Sequence, residues 1–160
     1  MIDYKGIADF KPGLIEKILK TCYRQLIEFF PNEKDRFYRQ WENEDKEAFI
    51  NQDTIGNSIL FTCIDNNPIG YFSWDNRQYP VGLVGQNCIL PEFQGQGYGK
   101  RQIEYIVKIF QDRGYKEIKA ITGDHKFFIS AQKMYISCEF QEIGILQGDL
   151  FKLIEFKKIF

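Results

Sequence analysis

The sequence predicts an α/β (α+β) fold: a single domain over residues 1–160, with a central mixed and largely antiparallel β-sheet flanked by about four helices. Its apolar residues recur at helical spacing in the first third of the chain, alternate in the middle, and switch between the two patterns in the last third. A strand also leads directly into a glycine-rich loop and a helix at Cys88–Lys100. A chain of this length can bury one core without disulfides or metals.

The first third of the chain is predicted to be mostly helical. A short strand is expected over Met1–Tyr4. After a Pro-Gly pair, apolar residues three and four apart over Leu14–Phe30 indicate one amphipathic helix, which a proline ends. A second, more charged helix is expected over Glu33–Asn51. Its acidic run, Glu42–Glu47, is expected to lie on a solvated face.

The middle of the chain is predicted to form three strands. Ser58–Ile64 and Ile69–Trp74 are separated by an Asp-Asn-Asn-Pro turn, which indicates a hairpin. A third strand is expected over Val81–Leu90 and contains Gly82 and Gly85. A glycine inside a strand often marks a bulge or a close backbone approach.

The last third alternates between helices and strands. A helix is expected after Gly99, and Gly114 is expected to cap its end. The remaining predicted elements are a strand over Glu117–Thr122, a helix near Phe128–Ser137, and strands over Phe140–Ile145 and about Leu150–Phe160.

Composition excludes several classes of protein. The 21 basic and 22 acidic residues leave a net charge of −1, without the basic excess of a general nucleic-acid-binding protein. His125 is the single histidine and the four cysteines form no Cys-x-x-Cys pair, so no metal site is predicted. No long apolar segment and no N-terminal leader pattern is found. We therefore expect a cytoplasmic protein with no metal, nucleic-acid or membrane partner; a homodimer is left open.

The loop after Cys88 has the physical character of an anion site. Alternate glycines let successive backbone N–H groups converge, and the following helix N-terminus adds unpaired donors and a positive dipole. Walker A requires Ser or Thr where Arg101 stands, and the dinucleotide fingerprint requires Gly where Lys100 stands. A third pattern, Gln/Arg-x-x-Gly-x-Gly/Ala, is matched in full by Gln94–Gly99.

These residues resemble the GNAT superfamily of acyl-CoA-dependent N-acetyltransferases. Ile89–Gln94 is similar to the lead-in of that family, in which an aliphatic residue is followed by Pro, Glu, an aromatic residue and Arg or Gln. Ala131–Phe140 is similar to its second motif, in which a helix carries Ala and Tyr. The resemblance covers Ile59–Phe160 well and the earlier part in outline, and it implies a GNAT-like domain that uses acetyl-CoA.

The resemblance also implies roles for individual residues. The strand edge at Ile89 and Leu90 would pair with the pantetheine arm, and the Ile89 N–H would polarise the thioester carbonyl. Tyr135 would give a proton to the leaving thiolate. The loop residues implied to shape the turn are Gln94 and Gly95, and those implied to bind the pyrophosphate through their amides are Gln96, Gly97, Tyr98, Gly99 and Lys100.

Two positions depart from the family pattern. Phe128 stands where the family often has Asn on the cofactor, so Ser130 is the alternative polar contact. Glu139 stands where the family usually has Gly at the end of the helix, so we expect a left-handed backbone there.

The attacking amine must lose a proton, and a carboxylate usually takes it. The candidates are Glu92, Asp75 and Asp124, with His125 as an outsider. Glu92 belongs to the lead-in and is the predicted proton acceptor, although shaping the loop would also explain its presence.

The predicted function is an N-acetyltransferase that moves an acetyl group directly from acetyl-CoA to a primary amine of a small molecule or peptide. Two alternatives stay open. One is an inactive acyl-CoA-binding module that senses or scaffolds, and the other is a nucleotide-binding protein that uses the same loop.

Overall fold

The computed structural model describes residues 1–160. The strands are β1 Ile2–Gly6, β2 Ile59–Ile64, β3 Asn67–Asp75, β4 Val81–Ile89, β5 Glu117–Gly123, β6 Gln141–Leu146 and β7 Leu153–Ile159. The helices are α1 Leu14–Cys22, α2 Arg24–Phe29, α3 Lys34–Ile50, α4 Tyr98–Asp112 and α5 Ile129–Ser137. Every predicted strand is present, with ends that differ by a few residues.

The seven strands form one mixed sheet in the order β1-β2-β3-β4-β5-β7-β6. The pairs β1–β2, β2–β3, β5–β7 and β6–β7 are antiparallel. The pair β4–β5 is parallel, because α4 provides the crossover between these strands. The predicted α/β fold class with a largely antiparallel mixed sheet is therefore confirmed.

The first predicted helix is wrong in one respect: Leu14–Phe30 forms two helices. The chain leaves helical geometry at Tyr23, with φ −102° and ψ 15°. The ring of Tyr23 stacks on Trp41, and its hydroxyl donates to Gln86. Apolar spacing continues through such a break, because one residue off helical geometry hardly disturbs the periodicity. The fold accordingly has five helices rather than about four.

The residues form two compact units. The first comprises Met1–Ser73 and Gln86–Tyr98, and the second comprises Trp74–Gly85 and Gly99–Phe160. The assignment of residues 1–160 to a single domain stays a prediction. No helix is both long enough and apolar enough to cross a membrane.

The first unit is built around an apolar core between its helices and β2, β3 and β4. The core includes Leu19 of α1, Trp41 of α3, Phe61 of β2, Tyr71 of β3 and Cys88 of β4, all buried. All four cysteines of the chain are free and buried. These contacts order the end of β4 from which the glycine loop leaves.

Asp45 contradicts the expectation that the acidic run of α3 is solvated. Its side chain is buried, and its carboxylate accepts hydrogen bonds from the N–H groups of Gly13, at 2.7 Å, and Glu16, at 3.2 Å. These groups are at the start of α1, where N–H groups have no partner within the helix. Asp45 therefore caps α1 from the neighbouring helix.

We expect Asp45→Ala to destabilise the protein by about 2 kcal/mol, because two partly buried N–H groups at the start of α1 lose their acceptor. The melting temperature should fall by roughly 4–8 °C. Glu47→Ala is the matched control, since Glu47 lies in the same helix and is exposed. Equal melting temperatures for the two variants would show that the cap contributes nothing.

The second unit packs α4 against the sheet through residues of the expected helical stripe. Ile103, Ile106 and Phe110 are fully buried. Gly82 of β4 lies so close to the ring of Phe110 that an added Cβ would come within 2.7 Å of it. The sequence predicts a bulge or a close backbone approach at a glycine of this strand, and at Gly82 the group that approaches is a side-chain ring. Gly114, with φ +76°, follows the end of α4 as predicted.

The end of α5 shows the left-handed residue that the sequence predicts. Glu139 has φ +66°, although it is not a glycine. Its carboxylate lies 2.8 Å from the ammonium group of Lys158, which also donates to the carbonyl of Cys138. This ion pair, which the sequence did not indicate, lowers the pKa of Glu139. Lys158 thereby also satisfies a carbonyl at the helix end.

Candidate active site

The glycine loop combines a turn of unusual backbone conformation with the start of a helix. Gly95 and Gly97 have φ of +77° and +86°, in the region that residues with a Cβ rarely adopt. A Cβ at either position would meet no other atom within 4 Å, so the requirement for glycine is conformational. Helix α4 begins at Tyr98, and its first N–H groups have no acceptor within the helix. The arrangement suits a phosphate group.

Gln94 ties the loop to the end of β4. Its side-chain amide donates to the carbonyl of Ile89 at 2.8 Å. Between these two residues, Pro91–Phe93 forms a single 3₁₀ turn, in which Glu92 is exposed. Gln94 itself is exposed, as is Gln96. The lead-in that resembles the GNAT pattern is therefore a short hydrogen-bonded turn, and it fixes where the loop leaves the strand.

The ladder between β4 and β5 is short. It pairs Val81, Gly82 and Leu83 of β4 with residues of β5. On the opposite edge of β4, the N–H of Leu90 donates to the carbonyl of Ile69 at 2.7 Å. Successive N–H groups of an extended chain point to opposite edges, so that of Ile89 points away from Ile69.

Tyr135 lies in α5, in the second unit, and is buried. Its ring packs against Phe140 and Phe156, with centroids 5.5 and 5.4 Å away. Burial raises the pKa of Tyr135 well above its usual value, so the phenol remains protonated at neutral pH. Ser130 is exposed in the first turn of the same helix, and Gly99 and Lys100 belong to this unit too.

Phe128 precedes α5 and packs against other apolar groups. Its ring centroid lies 5.1 Å from that of Phe151 and 4.9 Å from that of Phe127. It occupies the place where the GNAT pattern has a polar residue, and here the position is part of an aromatic cluster.

The carboxylates predicted as proton acceptors have different surroundings. Asp75 makes a two-pronged ion pair with Arg77, which lowers the pKa of Asp75 and weakens it as a base. Glu92 and Asp124 are exposed. His125 accepts a hydrogen bond from the N–H of Phe127 through Nδ1, at 3.1 Å, and so acts as a cap at a strand–helix junction.

Sequence reasoning missed a further carboxylate, Glu44 of α3. The side chain is partly buried in the first unit and forms hydrogen bonds with Gln40, Tyr71 and Gln86. Burial is the largest effect on Glu44 and raises its pKa. A signal was present in the sequence, because Glu44 is three residues after the buried Trp41 and four before the buried Ala48, on the same helix face. We call Glu44, its hydrogen-bond partners Gln40, Tyr71 and Gln86, and Tyr23, which bonds to Gln86, the Glu44 cluster.

The fold and the glycine loop define the class of protein. A family model for the acetyltransferase (GNAT) family matches residues 16–140, and the chain belongs to this family. No curated protein sequence matches the chain. No group of three or more His, Cys, Asp or Glu side chains is placed to hold a metal ion.

Solved structures share the fold at low sequence identity. A protein from Desulfovibrio desulfuricans assigned to the GNAT family superposes with a TM-score of 0.74 at 14% identity, over 99% of both chains. The PaiA N-acetyltransferase of Thermoplasma acidophilum, in complex with coenzyme A, gives 0.69 at 15%, over 100% of this chain and 99% of that one. The ribosomal-protein-S18-alanine N-acetyltransferase of Escherichia coli gives 0.56 at 14%, over 63% and 67%.

Proposed function

We propose that this protein is an N-acetyltransferase that transfers an acetyl group directly from acetyl-CoA to a primary amine of a small molecule or peptide. The observation that carries the proposal is the glycine loop with two left-handed glycines at the start of α4, directly after a strand whose ladder with β5 ends at Leu83. A pyrophosphate and a pantetheine arm have the chemistry that these two features accept. Family membership and the coenzyme A bound to the Thermoplasma protein support the same donor.

The loop binds the donor in this proposal. The amides of Gln96, Gly97, Tyr98, Gly99 and Lys100 hold the pyrophosphate, while Gln94 and Gly95 keep the turn in place. Ile89 and Leu90 flank the pantetheine arm, and the Ile89 N–H donates to the thioester carbonyl as negative charge develops on its oxygen. The N–H of Leu90 already donates to the carbonyl of Ile69, so Leu90 contributes shape rather than a hydrogen-bond donor to the pantetheine arm. Ser130 is proposed as a polar contact to the cofactor.

Tyr135 serves the leaving group in this proposal. Its raised pKa keeps the hydroxyl protonated, so a proton is present to stabilise and then neutralise the thiolate. Glu92 is the proton acceptor proposed from the sequence. It is exposed beside the loop, where a water molecule could connect it to an amine.

The proposal is tested by release of free thiol from acetyl-CoA with a panel of primary amines, together with thermal shifts on adding CoA or ATP. We expect CoA to raise the melting temperature and at least one amine to release thiol. Stabilisation by CoA without thiol release from any amine would favour the inactive binding module. Stabilisation by ATP but not by CoA would favour the nucleotide-binding alternative.

A further inference from the structure

Glu44 belongs to a connected set of hydrogen bonds within the first unit. The hydroxyl of Tyr23 donates to Oε1 of Gln86 at 3.1 Å, and the backbone N–H of Gln86 donates to Oγ of Ser73 at 2.9 Å. With its oxygen engaged by Tyr23, Gln86 bonds to Glu44 as a donor through its amide nitrogen. Gln40 donates to the other side of the carboxylate at 3.2 Å. The orientation of the carboxylate is therefore set by side chains from α3, β3 and β4.

The charge of this carboxylate is not balanced by a cation. The groups that shift its pKa are the side chains of Gln40, Gln86 and Tyr71, and no Lys or Arg is among them. The other titratable groups packed nearby are Tyr23, Cys22 and Cys88, which carry no positive charge. A partly buried carboxylate without a counter-ion is costly to maintain, and it attracts a cation that can reach it.

The Glu44 cluster lies close along β4 to the proposed point of chemistry. Gln86 is three residues before Ile89, so the two are separated by roughly 10 Å along the strand. Gln86 and Cys88 point to the same face of β4, and Cys88 is buried in the core of the first unit. A proton can pass from an amine placed near the Ile89 amide to a carboxylate bound to Gln86 through a short chain of water molecules.

Aromatic rings border the carboxylate. Tyr71 donates to it, and Tyr23, which bonds to Gln86, stacks on Trp41 with centroids 5.6 Å apart. An anionic group bordered by aromatic rings is suited to an ammonium group. It disfavours an acceptor whose amine has a carboxylate beside it.

We propose that Glu44 is the general base of this enzyme and that its acceptor is a cationic primary amine without an adjacent carboxylate. This inference rests on the proposed function and replaces Glu92 as the base. Glu44 takes one proton from the ammonium group, and the free amine attacks the thioester carbon. The C–N bond forms and the C–S bond breaks. The second proton of the amine nitrogen passes to the leaving thiolate, and Glu44 returns its proton to water.

The test compares Glu44→Gln with Glu92→Gln and with Glu47→Gln, the exposed control in the same helix. The acceptors are benzylamine, 1,3-diaminopropane, glycine and a lysine-containing tetrapeptide, and thiol release is followed between pH 5.5 and 9.5. Binding of acetyl-CoA and the melting temperature are measured for every variant. For Glu44→Gln we expect kcat/KM to fall about 100-fold near pH 7, with unchanged acetyl-CoA affinity. The deficit should shrink toward pH 9.5, where more of the amine is already unprotonated.

The variants separate a catalytic from a structural role. Because burial raises the pKa of Glu44, its charged form is disfavoured in the folded state, and that penalty is present once the pH exceeds the raised value. A neutral Gln removes the penalty, so Glu44→Gln should melt no lower than the wild type at neutral pH. A loss of activity explained by a large drop in melting temperature would overturn the proposal.

Three other outcomes overturn the inference. If Glu92→Gln loses activity and Glu44→Gln does not, the base is Glu92. If glycine is the best acceptor, the proposed substrate class is wrong. If the wild type binds acetyl-CoA but releases no thiol, the proposed function fails and the assignment of Glu44 fails with it; thiol release by the wild type with an unaffected Glu44→Gln variant overturns the assignment alone.

Discussion

Replacing Tyr135 by Phe is expected to lower kcat by about 100-fold, because the leaving thiolate loses its proton donor. The KM for acetyl-CoA should change little, since the substitution leaves the loop untouched. The Phe ring can keep the packing against Phe140 and Phe156, so the melting temperature should stay close to that of the wild type. Steady-state thiol release and thermal unfolding check these expectations.

The matched control is Tyr115→Phe. Tyr115 is also buried in the second unit, and its hydroxyl donates to the carbonyl of Asn76. This variant should lose some stability and keep kcat. The pH profile gives a second check: because the pKa of Tyr135 is raised well above its usual value, its ionisation should cause no loss of activity below about pH 10. Full activity of Tyr135→Phe would show that another group or water protonates the thiolate.

Gly97→Ala is expected to weaken CoA binding by about 10-fold or more. Alanine is strained at φ +86°, so the loop must move. At least one hydrogen bond from a backbone amide to the pyrophosphate is then lost. A hydrogen bond to a charged group contributes about 1.5–3 kcal/mol, which corresponds to roughly 10–100-fold in Kd. Calorimetric titration with CoA measures the effect.

Gly114→Ala is the control for this variant. Gly114 has φ +76°, has no atom within 4 Å of an added Cβ, and lies at the opposite end of α4. Both variants carry a similar backbone penalty of about 1 kcal/mol, so each should lower the melting temperature by roughly 2–4 °C. Only Gly97→Ala should bind CoA more weakly. Equal affinities would show that the loop does not hold the cofactor.

Local patterns predicted most of the fold, because they report on local forces. The alternation of β2 and β3, the stripe of α4 and the glycine at its end depend on neighbours a few residues apart. The break at Tyr23 was not predictable in this way. It coincides with contacts to Trp41 and Gln86, which are 18 and 63 positions away, and sequence spacing carries no information about such partners.

The same distinction between local and distant contacts applies to the candidate site. The loop at Gln94–Gly99 is recognisable because its glycines are a direct requirement of backbone geometry. Glu44 and Asp45 are adjacent acids in a charged helix, and composition alone suggested a solvated face. Asp45 caps α1, and Glu44 forms hydrogen bonds with residues of β3 and β4. The spacing of both residues from Trp41 and Ala48 indicated the buried face of the helix. The prediction of a solvated face followed from their charge instead.

The short pairing between β4 and β5 has a consequence for hydrogen exchange when the protein binds CoA. Three residues of β4, Val81–Leu83, pair with β5. If a pantetheine arm lies beside Val84–Ile89, its own amides extend this ladder. Backbone hydrogens at Val84–Ile89 should then exchange with deuterated solvent more slowly in the presence of CoA, while those of β6 and β7 should not change. In that case the cofactor acts as a removable strand. Mass spectrometry can then follow CoA binding even when the acceptor amine is not known.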